Sequence, residues 1–288
     1  MRSIGTAAAI CTLALLARAS SAELPAENAQ HRWVPSLAIT SGLIADGARG
    51  GVTSSIRPSA AGTESFASPW LGGSVGIATP ALEVGGVRSR LFAHAGVAGN
   101  FGVERDLAKE GSPGPFVVPP ENADFGEITV EGQGSTASAG PRGLQSSAGV
   151  GVSIEVDTPW RTIRVKPSFE YLHEQVRISG GVRRAQDDDL SIQSYFFFVI
   201  SGSRNKDFHG IGPGLELETD VSRVGPFEIA LALSGSAYKI LGNRSVTFTE
   251  TDPTAAQSAT WRYRKQAWTY RGYVGLRFLW SPDGKRSR

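Results

Sequence analysis

The sequence predicts an all-β protein: a closed antiparallel up-and-down transmembrane β-barrel of eight strands, with ten as the alternative. Three observations lead there: an export signal at the N-terminus, strict two-residue alternation repeated along the chain, and connections that are alternately short and long. The 288 residues include 35 glycines and 16 prolines, with 40% hydrophobic and 9% aromatic content, so neither collagen nor general disorder fits. Beyond residue 22 no apolar run approaches the roughly 18 to 20 residues that a membrane helix needs. Any membrane crossing must be made by strands.

The first 22 residues read as a signal peptide. Arg2 supplies the positive start, 4–16 the apolar stretch, and Ser20, Ser21 and Ala22 the small residues before cleavage. Ala17-Arg18-Ala19 is a second cleavage candidate. Residues 23–32 are then a leader, 33–280 the barrel with long outer loops, and 281–288 a short periplasmic tail. Cys11 lies inside the apolar stretch after Ala8-Ala9-Ile10, which does not suit a lipid anchor. Its removal leaves no cysteine, so neither disulfides nor thiolate metal sites contribute. Loss of Arg2 and Arg18 brings the formal charge from +2 to about zero, which argues against nucleic acid as a partner.

The predicted strands follow in order at 33–44, 70–79, 88–102, 145–157, 161–178, 208–220, 226–246 and 261–280. The fourth sets Val150, Val152, Ile154 and Val156 on one face against Ser153 and Glu155. After the turn at 157–160, the fifth sets Ile163, Val165, Phe169 and Tyr171 against Arg164, Lys166, Ser168 and Glu170. The sixth and seventh repeat this pattern, with Leu215 and Leu217 against Glu216 and Glu218, then Ile229, Leu231 and Leu233 against Glu228, Ala230 and Ala232. Long loops are expected at 45–69, 103–144 and 179–207, facing outside. Strand-like pieces at 125–130 and 191–200 are either hairpin extensions or the extra pair of a ten-stranded barrel. Pro167 and Pro213 fall inside strands, where the missing donor calls for a bulge or the barrel rim.

A bilayer barrel turns its apolar face outward and can hold charge inside. The inward face then carries Arg90, Glu155, Arg164, Lys166, Glu170, Glu216, Glu218, Glu228, Arg271 and Arg277, five of each sign. Strands one to three offer small residues to the same interior, including Ser36, Ala38, Thr40, Gly72, Ser74, Gly76, Gly96 and Ala98. Long charged chains from one wall can fill that space. Because an eight-stranded interior is only wide enough for side chains, the lumen is predicted to be plugged by an ion-pair network.

The last strand carries the most specific local pattern, Tyr273-Val274-Gly275-Leu276-Arg277-Phe278-Leu279-Trp280. Trp268, Tyr270, Val274, Leu276, Phe278 and Trp280 make an outward stripe with aromatics towards both ends. Through Tyr273, Gly275, Phe278 and Trp280 it resembles the C-terminal assembly signal of Gram-negative outer-membrane proteins, although the chain continues through Arg288. In architecture the chain is similar to the small OmpA-like and OmpX-like barrels. The resemblance implies residence in the outer membrane and engagement of the barrel-assembly machinery. It also implies contact with outer-membrane lipid and lipopolysaccharide. Only eight residues follow the last predicted strand, so a peptidoglycan-binding domain is not expected.

No motif names a substrate. His94 is predicted to face the lumen as a packed group, and His173 and His209 face outward near the outer rim, close enough to approach one another. Two histidines alone make neither a metal site nor a catalytic pair. His31 in the leader suggests nothing. A lipid A deacylase would want His-x-Ser on one strand face, but His94, His173 and His209 are followed two positions later by Gly96, Gln175 and Ile211. Asp187-Asp188-Asp189 lacks the spacing of a calcium loop. Asn243-Arg244-Ser245 matches a glycosylation sequon of little meaning in this compartment. The glycine-rich stretches near 149–151 and 210–214 join no strand to a helix and are not phosphate loops. The expected role is structural or surface-interacting, with an unknown extracellular ligand, no catalytic residues, no metal and no cofactor. A lipid-modifying enzyme and a small porin are the alternatives.

Overall fold

The computed structural model describes residues 32–84, 87–111, 115–118, 128–131, 134–186, 196–252 and 256–281. Residues 1–31, which include the expected signal peptide and His31 of the expected leader, lie outside these, as do the acidic run at 187–189 and residues 282–288. Fourteen strands occur in order among the described residues. They are β1 (Val34–Ser54), β2 (Ala60–Ala78), β3 (Leu82–Val84), β4 (Val87–Asn100), β5 (Arg105–Gly111), β6 (Pro115–Val118) and β7 (Ile128–Glu131). Then come β8 (Gly134–Asp157), β9 (Thr162–Gln186), β10 (Phe196–Val224), β11 (Phe227–Ile240), β12 (Ser245–Asp252), β13 (Gln257–Lys265) and β14 (Trp268–Trp280).

Eight of them close a ring in the order β1-β2-β4-β8-β9-β10-β11-β14, and β14 returns to β1 with Ser36 opposite Leu279 and Ala45 opposite Tyr270. All of these pairings are antiparallel. The count is eight and not ten: among the described residues β6 and β7 pair only with each other, and 196–200 extend the β9–β10 hairpin, while 125–127 and 191–195 of the two strand-like pieces lie outside the described residues. At one end the connections are short. The β8–β9 turn is held by Thr158, whose amide and hydroxyl both donate to the Arg161 carbonyl. The β10–β11 turn is made by Gly225 and Pro226, with Gly225 at a φ of +57° that favours glycine.

Neither bulge nor rim absorbs the strand prolines. The β8–β9 ladder skips from the Gly151–Ser168 pair to the Ile154–Val165 pair around Pro167. The β10–β11 ladder likewise skips from Ile211–Lys239 to Gly214–Ser236 around Pro213, with register unchanged. Each strand therefore drops pairing on one side, where a donor is missing, and keeps it on the other.

Around this ring the outward residues form an apolar belt that includes Leu37, Ile39, Leu43, Val150, Phe169, Leu215, Leu231, Val274 and Leu276, all exposed. Aromatics border it: Trp268, Tyr270 and Tyr171 on one side, Trp160, Phe227 and Trp280 on the other. Phe227 and Trp280 pack edge to face with centroids 5.0 Å apart. This is the profile of a barrel wall in lipid, with interfacial girdles.

The expected long loops are the main correction. Most of 45–69, part of 103–144 and much of 179–207 are strand, so the hairpins rise well past the upper girdle. There the ring opens into two four-stranded sheets. On one side β12, β13, β1 and β2 are neighbours; on the other β5, β8, β9 and β10. β13 takes the place of β14 beside β1, and β5 takes the place of β4 beside β8. Among the described residues no ladder joins β10 to β12 or β2 to β5. Instead each seam is crossed by an ion pair, Arg204–Glu250 at 2.9 Å and Arg57–Glu110 at 2.6 Å.

Between these sheets lies a hydrophobic core that includes Val52, Ile56, Leu107, Val176, Ile178, Val182, Ile200, Phe208, Phe248 and Trp261. Trp261 stacks on Phe248 at 5.2 Å, and its indole nitrogen donates across the core to the Thr136 carbonyl. The polarity of the wall therefore inverts along single strands. In β9 the outward residues change from Ile163, Val165 and Phe169 to Gln175 and Arg177, while the inward ones change from Arg164 and Lys166 to Val176, Ile178 and Val182. The lower part is coded for lipid and the upper part for water.

Replacing Leu276 in the belt with arginine is expected to cost about 2–4 kcal/mol, whereas Thr249→Arg on the upper outer face should stay within about 0.5 kcal/mol. Denaturant unfolding from lipid vesicles measures both. Equal costs would place the belt wrongly.

Candidate functional site

The interior below the girdle is built by the inward positions of the ring. β1, β2 and β4 bring small residues into register: Ser36 faces Gly76, Ala38 faces Ser74, Thr40 faces Gly72, and Gly72 and Ser74 face Ala98 and Gly96. Opposite them, β9 and β10 align unlike charges directly across the ladder, Lys166 with Glu216 and Arg164 with Glu218. The Lys166 ammonium contacts Glu216 at 2.8 Å and Glu218 at 3.1 Å. Arg164 pairs with Glu218 at 2.7 Å and also with Asp220.

Arg277 comes from β14, one strand beyond β11. It reaches Glu216 at 2.8 Å and Glu218 at 3.1 Å because the intervening β11 positions are Ala230 and Ala232, both fully buried and too short to block it. Tyr273 donates its hydroxyl to Glu216 as well. Five buried or nearly buried charged side chains, Arg164, Lys166, Glu216, Glu218 and Arg277, make one closed cluster with the tyrosine. Such a cluster is tolerated in a dry interior because every charge has a partner.

The other inward residues are placed as follows. Glu155 meets Arg88 at 3.3 Å and Arg90 at 3.6 Å, and Glu228 lies at the lower rim 3.7 Å from Arg223. Glu170 has no cation as its direct partner and accepts hydrogen bonds from Ser168, Ser236 and Tyr238. Arg271 lies face-on over the Trp70 ring at 3.6 Å, and the Lys166 ammonium sits over Phe92 at 4.7 Å. Long cations from one wall thus end on aromatic rings of the other. The ten charged positions are one lining, but Glu170 and Arg271 belong to a hydroxyl and aromatic environment, separate from the central ion-pair cluster.

Trp70, Phe92, Tyr238 and Tyr273 complete this lining and were missed from the sequence, although the same two-residue period places them inward. Together with His94, which stacks on Phe92 with centroids 6.0 Å apart, most of them surround a void of about 30 Å³. A polar void of that size takes a water molecule.

Above Trp268, where the membrane lining gives way to the upper core, Lys265 is completely buried. It contacts Asp46 and lies 3.1 Å from Glu174. A buried ammonium is tolerated there because Asp46 is in contact with it and Glu174 stands beside it. This trio divides the polar lining from the apolar core.

On the outside at the upper girdle, His173 and His209 are direct cross-strand partners with rings 5.1 Å apart. Tyr171 and His209 Nδ1 are hydrogen bonded at 2.6 Å, and Asp207 lies 3.6 Å from His173 Nε2. No group of three or more metal-ligating side chains occurs among the described residues. Of the C-terminal pattern, Tyr273 and Gly275 face inward in β14, and Phe278 and Trp280 face outward. Gly275 stands where a Cβ would press on Thr40 of β1, so its bareness lets the last strand close on the first.

This fold and lining define an eight-stranded transmembrane barrel carrying a two-sheet extension. No protein-family model matches the chain, and no curated protein matches it. Among solved structures it is similar in strand architecture to outer-membrane barrels. One is a major outer membrane protein from Thermus thermophilus, 12% identical over 84% of this chain and 99% of that one, with a TM-score of 0.30. Another is Ail, the attachment invasion locus protein of Yersinia pestis, 10% identical over 83% and 98%, TM-score 0.24. A third is the outer membrane protease OmpT of Escherichia coli, 10% identical over 86% and 97%, TM-score 0.23. Likeness this distant carries no argument about activity or partners.

Glu218→Gln leaves Arg164, Lys166 and Arg277 with one carboxylate fewer. It is expected to destabilise the folded barrel by about 3–5 kcal/mol, read as a lower denaturant midpoint for the heat-modifiable band. A shift below about 1 kcal/mol would mean the cluster is solvated.

Proposed function

We propose that this is an outer-membrane protein whose lower barrel is a sealed anchor and whose upper sandwich is a surface-exposed interaction module, with a structural or ligand-binding role outside the cell. The observation that carries the reading is the hydrophobic core above Lys265. A dry core stacked on a paired ionic lining leaves no aqueous path, while the rigid sheets lift a polar surface clear of the lipid. Loops on such a scaffold are where ligands bind. A small porin is disfavoured on the same ground.

Two measurements on one preparation test this. In planar bilayers the purified protein is expected to give no discrete conductance steps; steady single-channel openings would instead favour the porin. In intact cells, Thr53→Cys should react with a membrane-impermeant maleimide, and reaction only after the outer membrane is permeabilised would reverse the orientation.

A second reading, a lipid-modifying enzyme, is favoured by one specific observation. Asp207, His173, His209 and Tyr171 form a chain on the lipid-facing side of the upper girdle, and Ser146 of β8 is the direct cross-strand partner of His173. A serine beside a histidine that is itself beside an aspartate is the arrangement nucleophilic acyl transfer needs. Lipid A acylation should change on deletion of the gene and return with the wild type but not with His173→Ala. Unchanged acylation would remove this reading.

A further inference from the structure

The outer face of the sheet β12-β13-β1-β2, above the girdle, has an unusual composition. Its outward positions in β2, β1, β13 and β12 are alanine, glycine, serine and threonine, interrupted only by Arg49, Arg262 and Arg264. All three arginines are exposed, and no carboxylate shares their face. Their guanidinium groups make no salt bridge or hydrogen bond to another described residue. Arg49 and Arg264 are direct cross-strand partners, and Arg262 lies next along β13 on the same side, opposite Gly51. Like charges directly opposite each other destabilise a ladder. Their cross-strand neighbours Thr63, Ser245 and Thr247 carry hydroxyls but no negative charge to offset the guanidinium groups.

Their height is set by the register. Ala45 of β1 is opposite the girdle residue Tyr270, and Arg49 is four residues further up the same strand. With a rise of about 3.3 Å per residue and a tilt of about 40°, Arg49 and Arg264 stand about 10 Å above Tyr270 along the membrane normal. The headgroup layer beyond the hydrocarbon is about 5–8 Å thick on each side. Arginine side chains bend down over that distance.

We propose that Arg49, Arg262 and Arg264 form a binding site for the phosphate of an anionic lipid headgroup in the outer leaflet. The site rests on the orientation given above and deepens it by assigning that lipid a place on the barrel. A phosphate seated between Arg49 and Arg264 turns their mutual repulsion into two charge-assisted contacts, and arginine's planar fork suits bidentate phosphate. The flat bed of small side chains lets a bulky headgroup lie against the sheet.

The test uses the folded full chain in neutral detergent, its fold verified by heat-modifiable migration. Binding is measured to mixed micelles containing diphosphorylated lipid A and to micelles containing the same lipid stripped of phosphate. Wild type is expected to bind the phosphorylated form at least tenfold more tightly. R49A/R262A/R264A should lose that preference, and the triple lysine variant should retain part of it, both with unchanged heat modifiability. Equal affinity of wild type for the two micelles, or an unchanged preference in the alanine variant, overturns the proposal. Displacement of the lipid by inorganic phosphate alone at millimolar concentration overturns it too. A wild type that shows no heat-modifiable band and does not insert into membranes would fail one step earlier, at the barrel itself.

Discussion

The structure depends on one constraint: in hydrocarbon every backbone donor and acceptor must be paired within the protein. The β1–β14 ladder meets it by joining the ends of the described sheet into a ring, and closure in turn gives the wall an inside and an outside. Once the outside is lipid, the inward residues must satisfy one another. Lys166, Arg164, Arg277, Glu216 and Glu218 do so across three strands, and Ala230 and Ala232 are as important as the charges, since a longer side chain at either position would separate Arg277 from its carboxylates. Above the girdle the constraint relaxes. Water can satisfy an open edge, so the ring is free to part into two sheets held by the core between them, with Arg204–Glu250 and Arg57–Glu110 crossing the seams.

Changing solvent along one strand requires a boundary inside as well as outside. The interior below is polar and the interior above is apolar, and they meet at Lys265, Asp46 and Glu174. A lysine buried completely against hydrophobic neighbours is unfavourable unless paired. Phe208 and Tyr263 close over it from the apolar side, and Asp46 reaches it from β1. The trio therefore marks the depth at which the chain stops being a membrane barrel. Its position agrees with the outer surface, where Trp268 and Tyr171 end the belt at the same level.

Much of this was legible in the sequence, because a barrel wall is written with period two. The eight ring strands and the inward charges follow from alternation, as do the cross-strand meeting of His173 with His209 and the small-residue wall of β1, β2 and β4. But the spans expected as single strands at 226–246 and 261–280 are each broken, the first into β11 and β12 and the second into β13 and β14, because β12 and β13 leave the ring for the upper sheet. What failed was the assignment of loops. At 175–183 the alternation persists, but its polarity is reversed, with Val176, Ile178 and Val182 inward beside Arg177 and Arg183 outward. Polar residues on the expected lipid face read as the end of a strand when they mark only the end of the lipid. Glycines such as Gly180 and Gly202 deepen the confusion, for they face bulky core side chains, Trp261 and Phe248, that the local sequence does not reveal. Trp70 and Phe92 were legible by parity. Their role as seats for Arg271 and Lys166 was not, since it depends on which walls of the barrel face each other.

On the function proposed above, the same inversion explains why a sealed lumen and an exposed module would belong together. A barrel that conducts must keep its interior wet throughout, and a hydrophobic core at its mouth is incompatible with that. A barrel that displays a surface has the opposite requirement, because its hairpins must stand rigidly above the lipid, and long extended loops would sacrifice that rigidity to chain entropy. Packing Val52, Ile178, Phe248 and Trp261 between two sheets gives the emergent part its own core, so its stability does not rely on the membrane. The outer faces are then free to differ: one carries the mixed Asp207, Gln175, Arg142 and Arg177 surface, and the other carries arginines on a bed of small residues. Since neither face is needed to hold the sheets together, what each face carries is set by what lies beside it.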